Sequence, residues 1–222
     1  MLSDVKEPHF SDKDSSNARV SRGMLVIVSS PSGGGKGTLI RRVLKTVPYL
    51  SYSVSFTTRL ARAGELHGRD YFFVSIEEFE RMVKASEFLE WAQVHGNFYG
   101  TAHAQVTREL DAGRDIILEI DVQGAGNVQC LVKDAVSVFI LPPTFEILRE
   151  RLTDRNSELP ADLALRLRNS RGEVEHYREF DYVIINDEAE RAAQQLAAVI
   201  YAERARTLRQ TRVAERILAT FP

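Results

Sequence analysis

The stretch Ser30-Pro31-Ser32-Gly33-Gly34-Gly35-Lys36-Gly37-Thr38 constrains this chain more than any other. It follows the apolar run Met24-Leu25-Val26-Ile27-Val28 and precedes Leu39, Ile40, Val43 and Leu44 at helical spacing. Strand, Gly-rich turn and helix start, in that order, are the layout of a phosphate-binding loop. Consecutive glycines let the backbone wrap round an anion with several N–H groups pointing inward. The helix N-terminus adds partial positive charge, and Lys36 adds a full one. The complete pattern is G-x-x-x-x-G-K-[ST]; here Ser30 stands at its first Gly and Gly37 at its Ser/Thr. The plainer alternative is an ordinary Gly-rich turn between strand and helix. Gly35-Lys36 and Thr38 in frame favour the phosphate loop, and with it a nucleoside polyphosphate ligand.

A chain of 222 residues has room for one α/β domain with inserted smaller lobes. Its formal net charge of −2 gives no broad basic field for nucleic acid. A single cysteine, Cys130, excludes an internal disulfide and fits a reducing compartment. No apolar run approaches the roughly 18 residues of a membrane span. Residues 1–22 mix acids and bases without an apolar stretch, so they read as a disordered polar tail rather than a targeting signal. The expected address is the cytoplasm.

Along the chain, strand 24–29 leads through the loop into a helix over about 37–46. Ser51–Phe56 alternates small polar and apolar residues and reads as one short strand, and the segment from Thr57 to Glu65 reads as a polar loop. Tyr71–Val74 reads as a strand, and Ser75 as the N-cap of a helix carrying Ile76, Phe79, Met82 and Val83 on one face. Strand Phe88–Val94 turns at Gly96-Asn97 into Phe98-Tyr99, so 51–101 forms a small mixed lobe. A helix over 103–112 stops at Gly113, and strands Ile116–Asp121 and Val136–Leu141 are nearly continuous apolar runs. Helix Phe145–Leu152, the polar segment 153–158 and a helix from Pro160 read as a flap. Asp181–Ile185 reads as the last strand and 188–219 as helix. The alternation predicts a parallel sheet covered on both faces, with ligands beyond the strand C-termini, where the loop, Glu119 and Asp121 fall.

Phosphoryl transfer asks mainly for charge neutralisation, in-line positioning and exclusion of water. Besides Lys36, the sequence offers Arg59 with Arg62, Arg151 with Arg155, and Arg166 with Arg168 and Arg171. A single arginine is most often a solvated cation. A pair in a loop without apolar residues is better explained by an oxyanion ligand. The acids bear on specificity. Guanine presents N1–H and an exocyclic amine side by side, which one carboxylate accepts together; adenine presents an acceptor at N1. Glu90 and Glu119 are the candidate readers, against an exposed strand position for Glu90. Asp121 is a candidate for organising metal-bound water, against a helix cap for 122–130.

These residues resemble guanylate kinases over about 23–205. The resemblance rests on Ser-Pro-Ser-Gly-Gly-Gly-Lys, Ser53 to Arg59, Arg62-Ala63-Gly64-Glu65, His67 to Phe73 and Phe88-Leu89-Glu90-Trp91-Ala92. It continues through Gly96 to Thr101, Glu119 to Gly124 and Val183 to Asp187. It implies transfer of the ATP γ-phosphate to GMP, and dGMP, with Mg2+, in purine nucleotide metabolism. The implied fold is a P-loop nucleoside monophosphate kinase: a five-stranded parallel core (23–50, 102–150, 181–205), a GMP-binding lobe (51–101) and a lid (about 151–180). A C-terminal helix extension follows over 206–222. By the same resemblance Ser55 and Glu90 read the guanine, with Thr101 at a position where Ser is common, and Glu119 and Asp121 belong to the GMP side. Arg59, Arg62, Tyr71 and Tyr99 hold the GMP phosphate. Lys36, Arg59, Arg151, Arg155 and Arg166 are the implied catalytic cations. Ser30, Pro31, Ser32, Gly33, Gly34, Gly35, Gly37 and Thr38 line the ATP phosphates, with Asn186 near the adenine. Mg2+ is held mainly through water and nucleotide phosphates, with Thr38 and Asp121 in reach. The implied partners are nucleotides, without nucleic acid or membrane, in a monomer or small homo-oligomer.

Three positions depart from the family pattern: Glu119 replaces a usual Asp, Phe56 a usual Ser or His, and Gly37 the loop Ser or Thr. Lys-Gly-Thr is the wording of adenylate kinases, which makes an AMP kinase one rival; Glu90, Glu119 and the Tyr/Arg set argue against it. A catalytically dead scaffold module of the same family is the other, and such modules tend to lose the loop lysine. A kinase for a sugar phosphate is disfavoured by the retained carboxylates.

Overall fold

The computed structural model describes residues 22–94, 96–153 and 160–222, and no side chains over 160–166. The central strand β1 (Leu25–Ser29) is buried along its whole length. It lies between β7 (Asp115–Glu119) and β8 (Val136–Leu141), and β2 (Leu50–Tyr52) and β9 (Tyr182–Ile185) complete the sheet. The order is β2-β7-β1-β8-β9, and every pairing is parallel.

Side chains alternate across a strand, so each strand serves two cores. Val26, Val28, Ile117, Val138 and Ile140 pack with Leu39, Ile40 and Val43 of α1 (Lys36–Thr46) and Leu196 and Ile200 of α7 (Ala189–Arg204). Leu25, Ile27, Ile116 and Leu118 face the other way, against Val106 and Leu110 of α3 (His103–Asp111) and Val128 of α4 (Val122–Leu131). Burial on both faces accounts for the uninterrupted apolar runs in the sequence. No helix among the described residues is long and apolar enough to cross a membrane.

The second sheet has the order β4-β3-β6-β5, built from β3 (Phe56–Thr57), β4 (Phe72–Phe73), β5 (Phe88–Val94) and β6 (Asn97–Ala102). Phe79 of α2 (Ile76–Lys84) stacks on Phe88 and Phe98, with ring centroids 4.6 and 5.4 Å apart, and closes this lobe. Phe56 stacks on Phe72 at 4.7 Å, so its aromatic ring belongs to the packing of the lobe. Ser75 caps α2 as its spacing predicts, its Oγ accepting from Glu78 N at 3.2 Å.

Two elements differ from the sequence reading. The single strand expected over Ser51–Phe56 is two strands in two sheets, because β2 pairs with β7 while Phe56 and Thr57 pair with β4 and β6. Alternation reports which face a residue takes and carries no record of which neighbour it pairs with. The helix expected over 188–219 is α7 and α8 (Thr207–Leu218), separated where Arg206 turns to ψ 137°. No Gly or Pro marks that break; Gln210 Nε2 instead donates to the freed carbonyl of Arg204 at 2.8 Å. The flap's helices are α5 (Phe145–Thr153) and α6 (Pro160–Glu175). Residues 154–159, which include Arg155, and residues 1–21 of the expected tail lie outside the described residues.

Candidate active site

The loop of 30–35 leaves the C-terminal end of β1 and enters α1 at Gly35, whose φ of 90° no β-carbon-bearing residue adopts easily. A β-carbon there would also run into Asn186 Nδ2. The loop is tied from several sides. Asn186 Nδ2 donates to Gly34 O at 2.8 Å, Arg151 Nη2 to Asn186 O at 2.9 Å, and Ser32 N to Glu173 Oε2 of α6 at 2.8 Å. Within the loop Ser30 Oγ donates to Pro31 O at 2.9 Å. The first N–H groups of α1 have no intrahelical carbonyl to bond, which leaves them for an anion. Arg151 Nη1 and Asn186 Oδ1 are buried without a partner among the described residues. Both belong to the side chains packed at Gly35, so polar capacity is stored beside the loop.

Lys36 Nζ lies 4.0 Å from Glu119 Oε1 at the end of β7. Tyr52 of β2 donates to Glu119 Oε2 at 3.2 Å. Glu119, a candidate guanine reader in the sequence, turns its carboxylate toward Lys36 and Gly37. A parallel neighbour of β1 ends level with the loop, which is what puts its terminal acid there. Burial raises the Tyr52 hydroxyl far above the phenol range, with Glu119 and Tyr71 adding to it. Tyr52 was not among the residues singled out from the sequence, since a tyrosine in a short strand carries no local mark of function.

On the lobe side, Arg59 is gripped by Glu65. Nη2 donates to both carboxylate oxygens, at 2.9 and 3.0 Å, and Arg62 N donates to Oε2 at 2.8 Å. Burial opposes ionisation of Glu65, but the Arg59 bond and the Arg62 N–H hold its carboxyl below the usual range. The Arg59 guanidinium lies over the Tyr71 ring at 5.3 Å, and Tyr71 meets Tyr99 edge-on at 6.0 Å. Burial, with Glu119 and Tyr99 nearby, pushes the Tyr71 hydroxyl up to about 12. Arg59, Tyr71 and Tyr99 thus form one polar cluster facing Glu119. Glu65 is the clamp that the sequence reading quoted without giving it a role. Arg62 is exposed at its edge.

Glu90 occupies the floor of the lobe. A register shift between Phe88 and Glu90 in the β5–β6 pairing turns it inward opposite Thr101. It is only 7% exposed, which removes the alternative of an exposed strand position. Thr101 Oγ1 donates to its Oε1 at 2.6 Å, and its Oε2 abuts α4 at Gly124. Burial raises the Glu90 carboxyl to about 7; Thr101 opposes the rise and the charge of Asp121 adds to it. Ser55 is buried in the same lobe, its carbonyl accepting from Phe72 N. Asp121 caps α4, with Oδ1 accepting from Gly124 N at 2.8 Å, so the cap weighed against a metal role is a real one. Thr38 is exposed one residue beyond Gly37, where Arg41 Nη2 reaches its hydroxyl at 3.4 Å. Arg155 lies outside the described residues, and only the place of Arg166 on α6 is described.

A parallel sheet with a lysine-bearing phosphate loop at its C-terminal edge, facing a lobe with an arginine–tyrosine cluster and a buried acid, defines a P-loop nucleoside monophosphate kinase. The guanylate kinase family model matches residues 22–203. The guanylate kinase of Geobacter sulfurreducens is 49% identical over 187 residues, covering 84% of this chain and 92% of that protein. That of Rhizobium meliloti is 47% identical over 186 residues, covering 83% and 85%. The crystal structure of guanylate kinase from Anaplasma phagocytophilum matches with a TM-score of 0.77 at 35% identity, over 91% of this chain and 97% of that one. The chain belongs to the guanylate kinase family.

Proposed function

We propose that this enzyme transfers the γ-phosphoryl group of ATP to GMP, and to dGMP, with Mg2+, in cytoplasmic recycling of guanine nucleotides. The observation that carries the acceptor assignment is Glu90: a buried carboxyl held at one oxygen by Thr101, with its other oxygen turned toward Gly124 of α4 where lobe and core meet. The ionised group accepts N1–H and the exocyclic amine of guanine together, while the N1 acceptor of adenine would face it with like polarity. Ser55 lies beside this reading. Arg59, Tyr71 and Tyr99, with Arg62 at the rim, take the acceptor phosphate, Arg59 being preset by Glu65 and so losing little freedom on binding.

The loop from Ser30 to Thr38 takes the donor phosphates through backbone N–H groups and Lys36, with Arg151 supplying its unpartnered Nη1 as a further donor and Asn186 its Oδ1 as an acceptor on the adenine side. Arg155 and Arg166 belong to the same side by family resemblance. Closure of lobe and lid would exclude water from the transfer.

Among the described residues no three His, Cys, Asp or Glu side chains converge as a metal cage. Mg2+ keeps several waters and takes phosphate oxygens, so a site offering one carboxylate and one hydroxyl fits it. Glu119 and Thr38 are the side chains that would hold it, while Asp121 is engaged as the cap of α4. When bound, the ion supplies charge neutralisation on the transferred group.

The test is a coupled assay with ATP and Mg2+ offering GMP, dGMP, AMP and UMP in turn. GMP should turn over fastest, with dGMP second, and faster turnover of AMP would refute the acceptor assignment.

A further inference from the structure

The residue directly after the paired loop glycine and lysine is where the phosphate-loop pattern puts a hydroxyl, and this chain has Gly37 there. A β-carbon built on Gly37 would lie 3.2 Å from Glu119 Oε1 and 3.4 Å from Oε2. The first distance is tighter than ordinary van der Waals contact and the second is at its lower limit, so the space beside Gly37 is already filled by the carboxylate. That carboxylate is held on two sides, by Lys36 at Oε1 and by the Tyr52 hydroxyl at Oε2.

We propose that Gly37 and Glu119 are one matched device: the Glu119 carboxylate occupies the place of the missing loop side chain and takes over its polar role toward the nucleotide's cation. Glu119 is then a positioning residue whose reach depends on Gly37 having no β-carbon. The inference rests on the Mg2+ reading above.

The geometry sets the signs. An aspartate at 119 withdraws the carboxylate by one C–C bond, about 1.5 Å, which opens room for a hydroxymethyl group at 37. Gly37→Ser alone pushes the carboxylate off Lys36 and Tyr52. Because the displaced atoms are the far end of a flexible side chain, the fold is kept. Glu119→Asp alone leaves a gap of that bond length between the carboxylate and its place beside Gly37, and should cost a loss comparable to that of Gly37→Ser. The two changes together restore an oxygen at the same place from the other side of the gap.

The experiment is a double-variant cycle on Gly37→Ser, Glu119→Asp and the pair. It reads kcat and KM with GMP, ADP affinity in EDTA and in Mg2+, and the melting temperature of the free protein. Misplacement of about an ångström at a catalytic centre costs roughly a hundredfold, so Gly37→Ser should lose about that in kcat/KM. It should also lose most of the Mg2+-dependent gain in ADP affinity while melting close to wild type. The pair should recover both, exceeding Gly37→Ser by roughly tenfold or more on the coupling expected of contacting residues.

Losses that multiply in the pair, or a Gly37→Ser variant indistinguishable from wild type, overturn the proposal. ADP affinity needs no acceptor, so it decides the matter even if the wild-type enzyme prefers another monophosphate.

Discussion

Replacing Glu90 by glutamine removes a charge from the floor of the lobe and keeps an oxygen for the Thr101 hydroxyl. The carboxyl titrates at about 7 in the folded protein against an ordinary 4.5, chiefly through burial. The native state therefore holds this proton more tightly than the unfolded chain does. Its contribution to stability is present at low pH and is lost as pH rises from about 4.5 through about 7. Carried through the linkage relation, that loss is roughly 2–3 kcal/mol between pH 5 and pH 8.

Glu90→Gln cannot ionise, so its stability relative to wild type should rise by about that amount over the interval, with other titrations cancelling in the difference. Denaturant melts of the nucleotide-free protein at pH 5 and pH 8 measure it. In the same variant GMP affinity should fall roughly a hundredfold or more, because an amide presents an N–H to one of the guanine donors, while ADP affinity should be unchanged. A stability difference that stays flat between the two pH values would refute the buried-carboxyl argument. Unaltered GMP binding would refute the base-reading role.

Lys36→Ala should lower kcat by roughly two orders of magnitude or more, measured at saturating nucleotide, with little change in melting temperature, since the side chain is part-exposed at the loop. Asp121→Ala should cost about 1 kcal/mol through the lost cap of α4. It should also move the Glu90 transition to lower pH, because one charge that raises it is removed; the pH dependence of melting reads both.

Much of the fold is legible in the sequence because its causes are local. β1, the glycine loop and α1 follow one another within a few residues, and the apolar runs of β7 and β8 announce strands buried on both faces. Ser75 finds its own N–H three residues on. The split of 51–56 and the break at Arg206 are not legible, since a strand's partners and a helix's end at Gln210 are set by distant packing. In the candidate site, Lys36, Arg59 and Glu90 are legible as candidates from residue type and surroundings. Glu65 as the clamp of Arg59 needed the turn of 60–65, Tyr52 needed the β2–β7 pairing, and the inward turn of Glu90 needed the register shift beside Phe88.

The sequence by itself determined that a glycine-rich loop with a lysine joins β1 to α1, because glycine spacing and a lysine act through backbone they share. It also determined the family, through ordered blocks of residues. Which way each acid points was decided only by the tertiary structure. Glu119 sits at the end of a strand parallel to β1 and therefore meets the loop, while Glu90 lies on a bulged hairpin and meets the lobe. Strand order and register, not chain proximity, bring a carboxylate to the loop or to the lobe, and those are set by the whole sheet at once.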